Sequence, residues 1–386
     1  MREKIYLYSG IQPGKKGAGN FVAFFINKLK SNKIDFELIY YGTPDGVLVK
    51  FAKKIGIIKL LKRVYYSIAR NVSKVSIKGA KIFIFHPQSI GLNIVNELVK
   101  ENQIYLYVLD NFLFCKRSYN FIQGNNACLE CIDNKNAHIK NNCTFFPNDQ
   151  KQEQYDSLLE VIEQNLHNII FLTQNENQGK LLAKKFGSNA NFRQVGMLID
   201  LPDVVKELDK KLVCFDFLYH NTLTESKGLQ YFLNLAKEMP EYSFAIPYSL
   251  QQVKNVVLDF TNLENLSFLS VTWDTGLLDV LQNSKVIINP SLWSAPVEGA
   301  LLKSIKYNGC VAVVPVDYSF QKEIPTNVVI SLEGSIQYAK EMLTETISSE
   351  KIREEYIKSS RTWLKNYQNV TTKRFNEFMQ NEFVNK

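Results

Sequence analysis

The sequence predicts an α/β protein built from two doubly wound domains, each with a parallel sheet. Three observations lead to this class. Apolar, β-rich runs alternate with helical patterns, as expected of parallel sheets that are covered on both faces. These runs fall into two sets of six along the chain. A length of 386 residues is also more than one compact core usually holds.

The predicted strands divide at a break near Asp200-Leu201-Pro202-Asp203, where proline and acidic residues separate a strand from the next helical run. The first set is Lys4–Ser9, Phe36–Tyr41, Lys81–His86, Ile104–Asp110, Asn168–Thr173 and Phe192–Met197. The second set is Leu212–Tyr219, Ser243–Tyr248, Leu266–Thr272, Val286–Asn289, Val311–Val316 and Val328–Leu332. We therefore expect an N-terminal domain over 1–200, with a cysteine-rich insertion at 111–150, and a C-terminal domain over 201–365. A charged helix at about 366–386 is expected to pack back on the N-terminal domain.

Composition excludes several classes of protein. A hydrophobic content of 45% with 12% aromatic residues is typical of a globular chain and not of a disordered one. No stretch of 18 uncharged apolar residues is present, so no membrane-spanning helix is expected. The opening residues MREKIYLYSG lead into a strand without the features of a signal peptide, which predicts a cytoplasmic location. In that location the six cysteines are not expected to form disulfides.

Positive charge is concentrated in the first part of the chain. The net charge is +8, but residues 1–100 carry +13 and residues 101–386 carry −5. Residues 47–81 contain ten Lys or Arg, no acidic residue and several aromatic side chains. This pattern favours an amphipathic helix on an anionic membrane surface, at the inner face of the cell membrane. A core-packing helix with a solvated lysine face is the alternative, and nucleic-acid binding is disfavoured because no recognised motif accompanies the charge.

The most informative segment is 285–314, which reads as strand, loop, helix and strand. In such βαβ units, ligands bind at the carboxyl ends of the strands, where a helix N-terminus favours an anion. Glu298 and the Gly299-Ala300 backbone occupy that position. A carboxylate does not favour a bound anion. Glu298 is therefore better suited to bind hydroxyl groups of a molecule that carries the anion. A phosphate-linked sugar fits both requirements.

Four cysteines form a second candidate site. Cys115, Cys128, Cys131 and Cys143 have the spacing C-x12-C-x2-C-x11-C, and four thiolates can hold a structural zinc ion. His138 is a spare ligand. The alternative is four unrelated thiols around one loop, since cysteine is often buried without binding a metal.

Together these segments resemble GT-B glycosyltransferases, and in particular glycosyltransferase family 4. The loop that includes Gly17, Gly19 and Asn20 is similar to the family's first glycine-rich loop, which faces the acceptor and the donor phosphates. Lys227, in FLYHNTLTESKG, matches the lysine that contacts the donor pyrophosphate, while Thr222 stands where the family has arginine. The segment with Ser291 and Glu298 resembles the family's two-glutamate motif.

The resemblance has further departures and matches. Lys303 or Ser304 occupies the expected place of the second glutamate. His86 follows the third strand, where the family often has a histidine facing the donor. Asp110 matches the aspartate of a His-Asp-aromatic run found in some bacterial polysaccharide transferases, with Leu109 in place of the histidine. Trp273 either borders the base of the nucleotide or is a packing residue.

The resemblance implies two Rossmann-like domains facing a central cleft and a retaining transfer from a nucleotide-diphosphate sugar. Glu298 and His86 would act on the sugar, Lys227, Gly299 and Ala300 on the diphosphate, and Asp110 with Asn20 on the acceptor side. No catalytic metal is expected. The acceptor would be a glycan or a polyprenyl-diphosphate-linked glycan in surface polysaccharide or lipopolysaccharide assembly. Two alternatives are a non-catalytic GT-B protein that binds sugar or lipid phosphate for another enzyme, and a nucleotide-sugar epimerase.

The basic stretch gives a first testable prediction. Each Lys or Arg near an anionic surface contributes about 1 kcal/mol, so we expect cosedimentation with vesicles that contain anionic lipid, weakening as salt rises. Replacing Lys53, Lys54, Lys59 and Lys62 with Glu should abolish this binding. Equal sedimentation with neutral and anionic vesicles would instead indicate an ordinary solvated face.

Overall fold

The computed structural model describes residues 5–14, 18–40, 76–122, 127–146, 150–199, 201, 215–257, 260–333 and 335–384. The chain divides into two compact units, neither of which is continuous in sequence. Unit 1 contains Met1–Ser118, Leu129–Ile199 and Arg374–Lys386. Unit 2 contains Tyr119–Cys128 and Asp200–Lys373.

Unit 1 contains a six-stranded parallel sheet with the order β2-β1-β3-β4-β5-β6. Its strands are β1 Ile5–Ser9, β2 Phe36–Tyr40, β3 Lys81–Phe85, β4 Gln103–Tyr107, β5 Ile169–Thr173 and β6 Phe192–Gln194. Its helices are α1 Ala18–Ser31, α2 Pro87–Ile90, α3 Leu92–Glu101, α4 Glu130–Asp133, α5 Ala137–Lys140, α6 Gln152–Gln164 and α7 Glu176–Phe186. A 3₁₀ turn at Leu166–Asn168 precedes β5.

Unit 2 contains a second six-stranded parallel sheet, with the order β12-β11-β10-β7-β8-β9. Its strands are β7 Phe217–Tyr219, β8 Phe244–Ile246, β9 Leu266–Phe268, β10 Val286–Asn289, β11 Val311–Val313 and β12 Ile330–Ser331. Its helices are α8 Leu229–Glu238, α9 Leu250–Lys254, α10 Leu277–Asn283, α11 Gly299–Tyr307, α12 Ile336–Ser348 and the first part of α13 Glu350–Met379. Two 3₁₀ turns, Glu225–Lys227 and Phe320–Glu323, lie in its loops, and a π-helical turn at Gln380–Val384 follows α13 in unit 1.

The strand order of each sheet reverses at one point. In unit 1 the reversal lies between β1 and β3, and in unit 2 it lies between β7 and β10. At such a point the loops that leave the two strands run in opposite directions and open a crevice at the carboxyl ends. This topology places the residues that follow these four strands where ligands of doubly wound sheets bind.

The central strands of both sheets are buried because they are apolar on both faces. All four residues of β10 are buried, as are four of the five residues of β3. The covering helices are amphipathic: α3 buries Leu92, Val95 and Val99 along one stripe. Three of the described helices begin at side-chain caps, where Asn175 accepts a hydrogen bond from the Gln178 N–H, Ser249 from the Gln252 N–H and Ser335 from the Tyr338 N–H.

The end of α13 belongs to the core of unit 1. Phe375 is fully buried, and its ring lies 5.5 Å from that of Phe24, 5.7 Å from that of Phe25 and 6.5 Å from that of Phe21. Edge-on packing of this kind adds to the burial of apolar area. Phe375, Phe378 and Met379 thus contribute to a core whose sheet is formed from the first half of the chain.

The predicted fold class of two doubly wound parallel-sheet domains is confirmed. Each of the twelve predicted runs overlaps one observed strand, and the errors lie at the strand ends. The fourth run was expected to reach Asp110, but β4 ends at Tyr107. The Val108 N–H still donates to the Leu172 carbonyl of β5, but the carbonyls of Val108 and Leu109 accept hydrogen bonds from the side chain of Gln174.

The membrane-related predictions concern a part of the chain that is mostly not described. Residues 41–75, which hold most of the basic stretch, lie outside the described residues, so the amphipathic surface helix stays a prediction. Among the helices that the structure describes, none combines the length and the apolar character required to cross a membrane.

We predict that Phe375→Ala destabilises unit 1 by about 3–5 kcal/mol, because it leaves a cavity among packed aromatic rings. Chemical denaturation followed by circular dichroism would measure the change in the free energy of unfolding. Asn376→Ala, at an exposed position on the same helix and in the same unit, is the matched control and should stay within about 0.5 kcal/mol of wild type. Equal effects of the two substitutions would show that α13 does not belong to this core.

Candidate functional site

The site in unit 2 is built at its topological switch point. His220 and Asn221 follow β7, and Pro290 and Ser291 follow β10. The Asn289 side chain donates a short hydrogen bond to the His220 carbonyl, and Asn221 Nδ2 donates to Ser291 Oγ at 3.0 Å. These bonds hold the ends of the two strands together.

A buried ion pair occupies this point. Lys227 Nζ donates a short hydrogen bond to Glu298 Oε1, and the two side chains are 12% and 5% exposed. The second carboxylate oxygen, Oε2, accepts from Ser291 Oγ at 2.7 Å and from Gln321 Nε2 at 3.2 Å. Burying two charges is favourable only when their remaining hydrogen-bonding positions are satisfied, and these contacts do so for Glu298.

Glycine is required next to the lysine. Gly228 has a φ of +73°, and a Cβ atom on it would lie 1.8 Å from the Pro290 carbonyl oxygen. The Leu292 N–H also donates to the Ser226 carbonyl at 2.9 Å. The Lys-Gly pair noted in the sequence therefore allows the turn at Glu225–Lys227 to lie directly against the loop that follows β10.

Two aromatic rings surround the lysine ammonium group. Lys227 Nζ lies 4.6 Å from the centre of the Trp293 ring and 6.0 Å from that of Tyr119. Trp293 is 3% exposed, and its indole N–H has no hydrogen-bond partner among the described residues. The lysine is thus held by a carboxylate and by aromatic faces, which attract a cation.

Glu298 directly precedes α11. It occupies the N-cap position without capping the helix through its side chain, which is engaged with Lys227 instead. Gly299 and Ala300 form the first turn of α11 and are partly exposed. This geometry places a helix N-terminus with its positive dipole end beside the ion pair.

A second aromatic group lies along α11. The Trp273 ring, 37% exposed, lies 4.5 Å from Lys303 Nζ and 5.7 Å from both the His220 and Tyr307 rings. Burial, with a smaller effect of Lys303, lowers the pKa of His220 to about 3, so this imidazole is neutral. Its Nδ1 lies 2.7 Å from Ser304 Oγ, which ties β7 to α11. Lys303 and Ser304 therefore take part in contacts that differ from those expected of a second glutamate.

The corresponding position in unit 1 also holds a polar cluster. His86 follows β3 and adopts a left-handed backbone with a φ of 60°, which is uncommon for a residue other than glycine and is often found at functional sites. Its Nε2 lies 3.6 Å from Asp110 Oδ2. The Asp110 carboxylate accepts from Gln88 Nε2 at 2.8 Å and from the Phe112 N–H at 2.9 Å. The structure thus brings the predicted residues His86 and Asp110 together.

Burial raises the pKa of Asp110 from 3.8 to about 7, although the hydrogen bonds from Phe112 and Gln88 oppose this change. Gln88 is 1% exposed, and its Oε1 has no hydrogen-bond partner among the described residues. A carboxyl group that changes charge near neutral pH beside a histidine is able to hold or release a proton.

The first glycine-rich loop is only partly described. Gly19 is buried in α1, where a Cβ atom would lie 2.5 Å from the Gln12 carbonyl oxygen, so a larger residue would displace this turn. Asn20 lies beside it in the first turn of α1 and is partly exposed. Gly17 falls outside the described residues.

The predicted zinc site is not formed by the described residues. No group of three or more His, Cys, Asp or Glu side chains suited to a metal ion occurs among them. Cys128 belongs to unit 2, whereas Cys115, Cys131 and Cys143 belong to unit 1. The spare ligand His138 has its Nδ1 2.9 Å from the Lys135 carbonyl. Close spacing in sequence therefore did not produce a shared site.

Several residues of the two sites were not found by sequence analysis. His220 carried a usable signal, because it directly follows an apolar strand just as His86 does. Gln321 and Tyr119 carried none, since they reach Lys227 and Glu298 from loops that are remote in sequence. Chemically, the unit 2 site combines one cation, one carboxylate and a helix N-terminus, which suits a ligand that carries both an anionic group and hydroxyls.

We predict that Asp110→Asn changes how stability depends on pH. The unfolded chain ionises this carboxyl near its ordinary pKa of 3.8, whereas the folded chain resists ionisation up to about 7. Asp110 therefore lowers the stability of the wild type progressively between about pH 4 and pH 7, and the variant should lack this decline.

Thermal unfolding of both proteins across this interval would measure the effect, and the difference in Tm should stop growing above about pH 7. Asp133→Asn, which removes a carboxylate that is 75% exposed, is the control. Repeating the series with His86→Gln removes the titration of the neighbouring imidazole. A constant difference between wild type and Asp110→Asn would contradict the raised pKa.

No protein-family model and no curated protein sequence matches this chain. Solved structures do match it. Sucrose-phosphate synthase from Thermosynechococcus elongatus matches with 10% identity and a TM-score of 0.60, over 100% of both chains. WaaG, a glycosyltransferase involved in lipopolysaccharide biosynthesis, matches with 9% identity and a TM-score of 0.56, over 97% of this chain and 98% of its own. Anabaena HepE in complex with UDP matches with 10% identity and a TM-score of 0.53, over 97% of this chain and 95% of its own. At such low identities the likeness shows the fold alone, and the chain has the predicted two-domain, Rossmann-like GT-B fold.

Proposed function

We propose that this protein is a retaining glycosyltransferase that transfers a sugar from a nucleotide-diphosphate sugar to a glycan or lipid-linked acceptor. The observation that carries the proposal is the buried Lys227–Glu298 pair at the switch point of unit 2, directly before α11. The pair offers a cation to a diphosphate and a carboxylate to sugar hydroxyls within one site.

The proposed reaction requires stabilisation of a diphosphate leaving group and of a sugar that develops positive charge. Lys227 and the backbone N–H groups at Gly299 and Ala300 would stabilise the diphosphate, since fixed charges and dipoles act strongly in a buried site. Glu298 would bind the sugar hydroxyls through the oxygen positions not used by its neighbours. Ser291 would position Glu298 through its hydrogen bond to Oε2.

The same proposal assigns roles to Trp273 and to polar residues of unit 1. Trp273, with Lys303 against its ring, is proposed to border the nucleotide base. In unit 1, His86 is proposed to act on the transferred sugar, with Asp110 and Asn20 on the acceptor side and Gly17 and Gly19 in the loop that faces the phosphates. The contact between His86 and Asp110 supports a shared role for these two residues.

The structural likeness supports the class of substrates. HepE is a protein of the same fold with bound UDP, and WaaG acts in lipopolysaccharide biosynthesis. We infer that this chain uses a nucleotide-sugar donor and serves bacterial surface polysaccharide assembly. Family 4 membership, a polyprenyl-diphosphate-linked acceptor and attachment to an anionic membrane surface remain predictions from sequence.

A binding protein without activity is the second candidate. Thr222 stands where the resemblance leads us to expect arginine, so one positive charge is missing beside the proposed diphosphate. Such a protein would bind a nucleotide sugar but would neither transfer nor hydrolyse the sugar. Incubation with radiolabelled UDP- and GDP-sugars, with and without membrane lipid extracts as acceptors, separates these two functions.

We predict that Lys227→Ala and Glu298→Gln each lower transfer by at least about 100-fold, because each removes a contact to the transition state. Transfer of radiolabel under single-turnover conditions measures the change, and circular dichroism verifies folding. Lys340→Ala is the matched control, since this lysine lies on α12 and donates only to the Glu238 carbonyl among the hydrogen bonds observed. Activities within a few-fold of wild type for both site variants would show that the active site lies elsewhere.

A further inference from the structure

One segment leaves unit 1 to join unit 2. Residues 119–128 belong to unit 2, although Ser118 before them and Leu129 after them belong to unit 1. Three of its described residues, Tyr119, Asn120 and Ala127, contact the loop at 290–298, which joins β10 to α11. We call residues 119–128 the crossing segment.

Two hydrogen bonds between one pair of residues join the crossing segment to this loop. Asn120 Nδ2 donates to Ser294 Oγ at 2.9 Å, and the Ser294 N–H donates to Asn120 Oδ1 at 2.9 Å. Ser294 Oγ in turn donates to the Asp317 carbonyl at 2.6 Å. Asn120 and Ser294 are 0% and 1% exposed, so water does not replace these bonds at little cost.

Backbone and aromatic contacts extend the same attachment. The Ala127 N–H donates to the Leu292 carbonyl at 3.1 Å, and the Cys128 N–H donates to the Asn120 carbonyl at 2.7 Å. The Tyr119 ring lies 4.6 Å from the Trp293 ring, and both rings approach the Lys227 ammonium group. The crossing segment therefore contacts three consecutive residues of the loop, 292–294.

The loop depends on such external contacts because it contains no regular secondary structure. Its position determines where Ser291 and Glu298 lie, since these residues are near its two ends. A contact-forming loop must be held to within a fraction of an ångström for its groups to act on a ligand. Asn120 fixes the centre of this loop because it binds both the backbone N–H and the side-chain hydroxyl of Ser294.

We propose that Asn120 is a positioning residue for the Lys227–Glu298 site and acts by anchoring the loop at Ser294. The expected effect on ligand binding rests on the proposed function. Its structural part, the anchoring of the loop, does not depend on which ligand the site takes.

The test compares wild type with Asn120→Ala, Ser294→Ala and the double variant in the full chain. Hydrogen exchange measured by mass spectrometry reports the protection of peptides that cover 290–298. Asn120→Ala removes the acceptor of the Ser294 N–H, so exchange there should become about tenfold faster. Ser294→Ala keeps that acceptor and should have a smaller effect. Asn141→Ala, which removes an amide from the same predicted insertion but from unit 1, is the control and should leave this peptide unchanged.

Calorimetric titration with UDP and GDP reports the consequence for the site. Asn120→Ala should lower the affinity for the nucleotide that binds wild type by about tenfold. The affinity of the double variant should be no lower than that of Asn120→Ala alone. In transfer assays KM for the donor should rise with a smaller change in kcat.

The two hypotheses fail in different ways. Unchanged exchange over 290–298 in Asn120→Ala, or effects of the two substitutions that multiply, would overturn the positioning role. Faster exchange confined to this loop supports that role, whether or not wild type binds either nucleotide. Absence of nucleotide binding by wild type would count against the proposed function alone.

Discussion

The candidate site of unit 2 depends on the cost of burying two opposite charges. The side chains of Lys227 and Glu298 are 12% and 5% exposed, and a buried pair of this kind is destabilising unless its other hydrogen-bonding positions are occupied. Ser291, Gln321 and the ring of Trp293 supply those contacts. Much of the irregular structure around β10 is therefore explained by the need to surround this pair. The same contacts orient the pair toward the start of α11.

The two units place polar groups at equivalent points by different means. In unit 2 a charged pair is satisfied by hydroxyl, amide and aromatic groups. In unit 1 the carboxyl group of Asp110 lies beside His86 and Gln88, and its burial raises its pKa. The Asp110 carboxyl is thus able to exchange a proton near neutral pH.

Sequence patterns predicted the strands and part of the sites for identifiable reasons. Apolar runs of strand length located all twelve strands, and parallel topology implies that residues following β7 and β10 meet at one edge. Lys227 and Glu298 meet in this way across 71 positions. Asn120 meets Ser294 across 174 positions through a loop without periodicity, and no local pattern encodes such a contact. The cysteine prediction failed because spacing along the chain does not determine whether side chains converge in space, and the described residues contain no group suited to a metal ion.

The division of the chain has a consequence for its synthesis. The polypeptide passes between the units four times, at 118/119, 128/129, 199/200 and 373/374. Phe375 and Phe378 complete the aromatic core beneath β3, so a ribosome must translate all of unit 2 before unit 1 gains its last apolar layer. The nascent N-terminal half therefore exposes the surface around Phe21 and Phe25 for the whole of this interval, which slows folding and makes chaperone binding advantageous. A stop codon before position 375 would lower the stability of unit 1, which is translated first, more than that of unit 2.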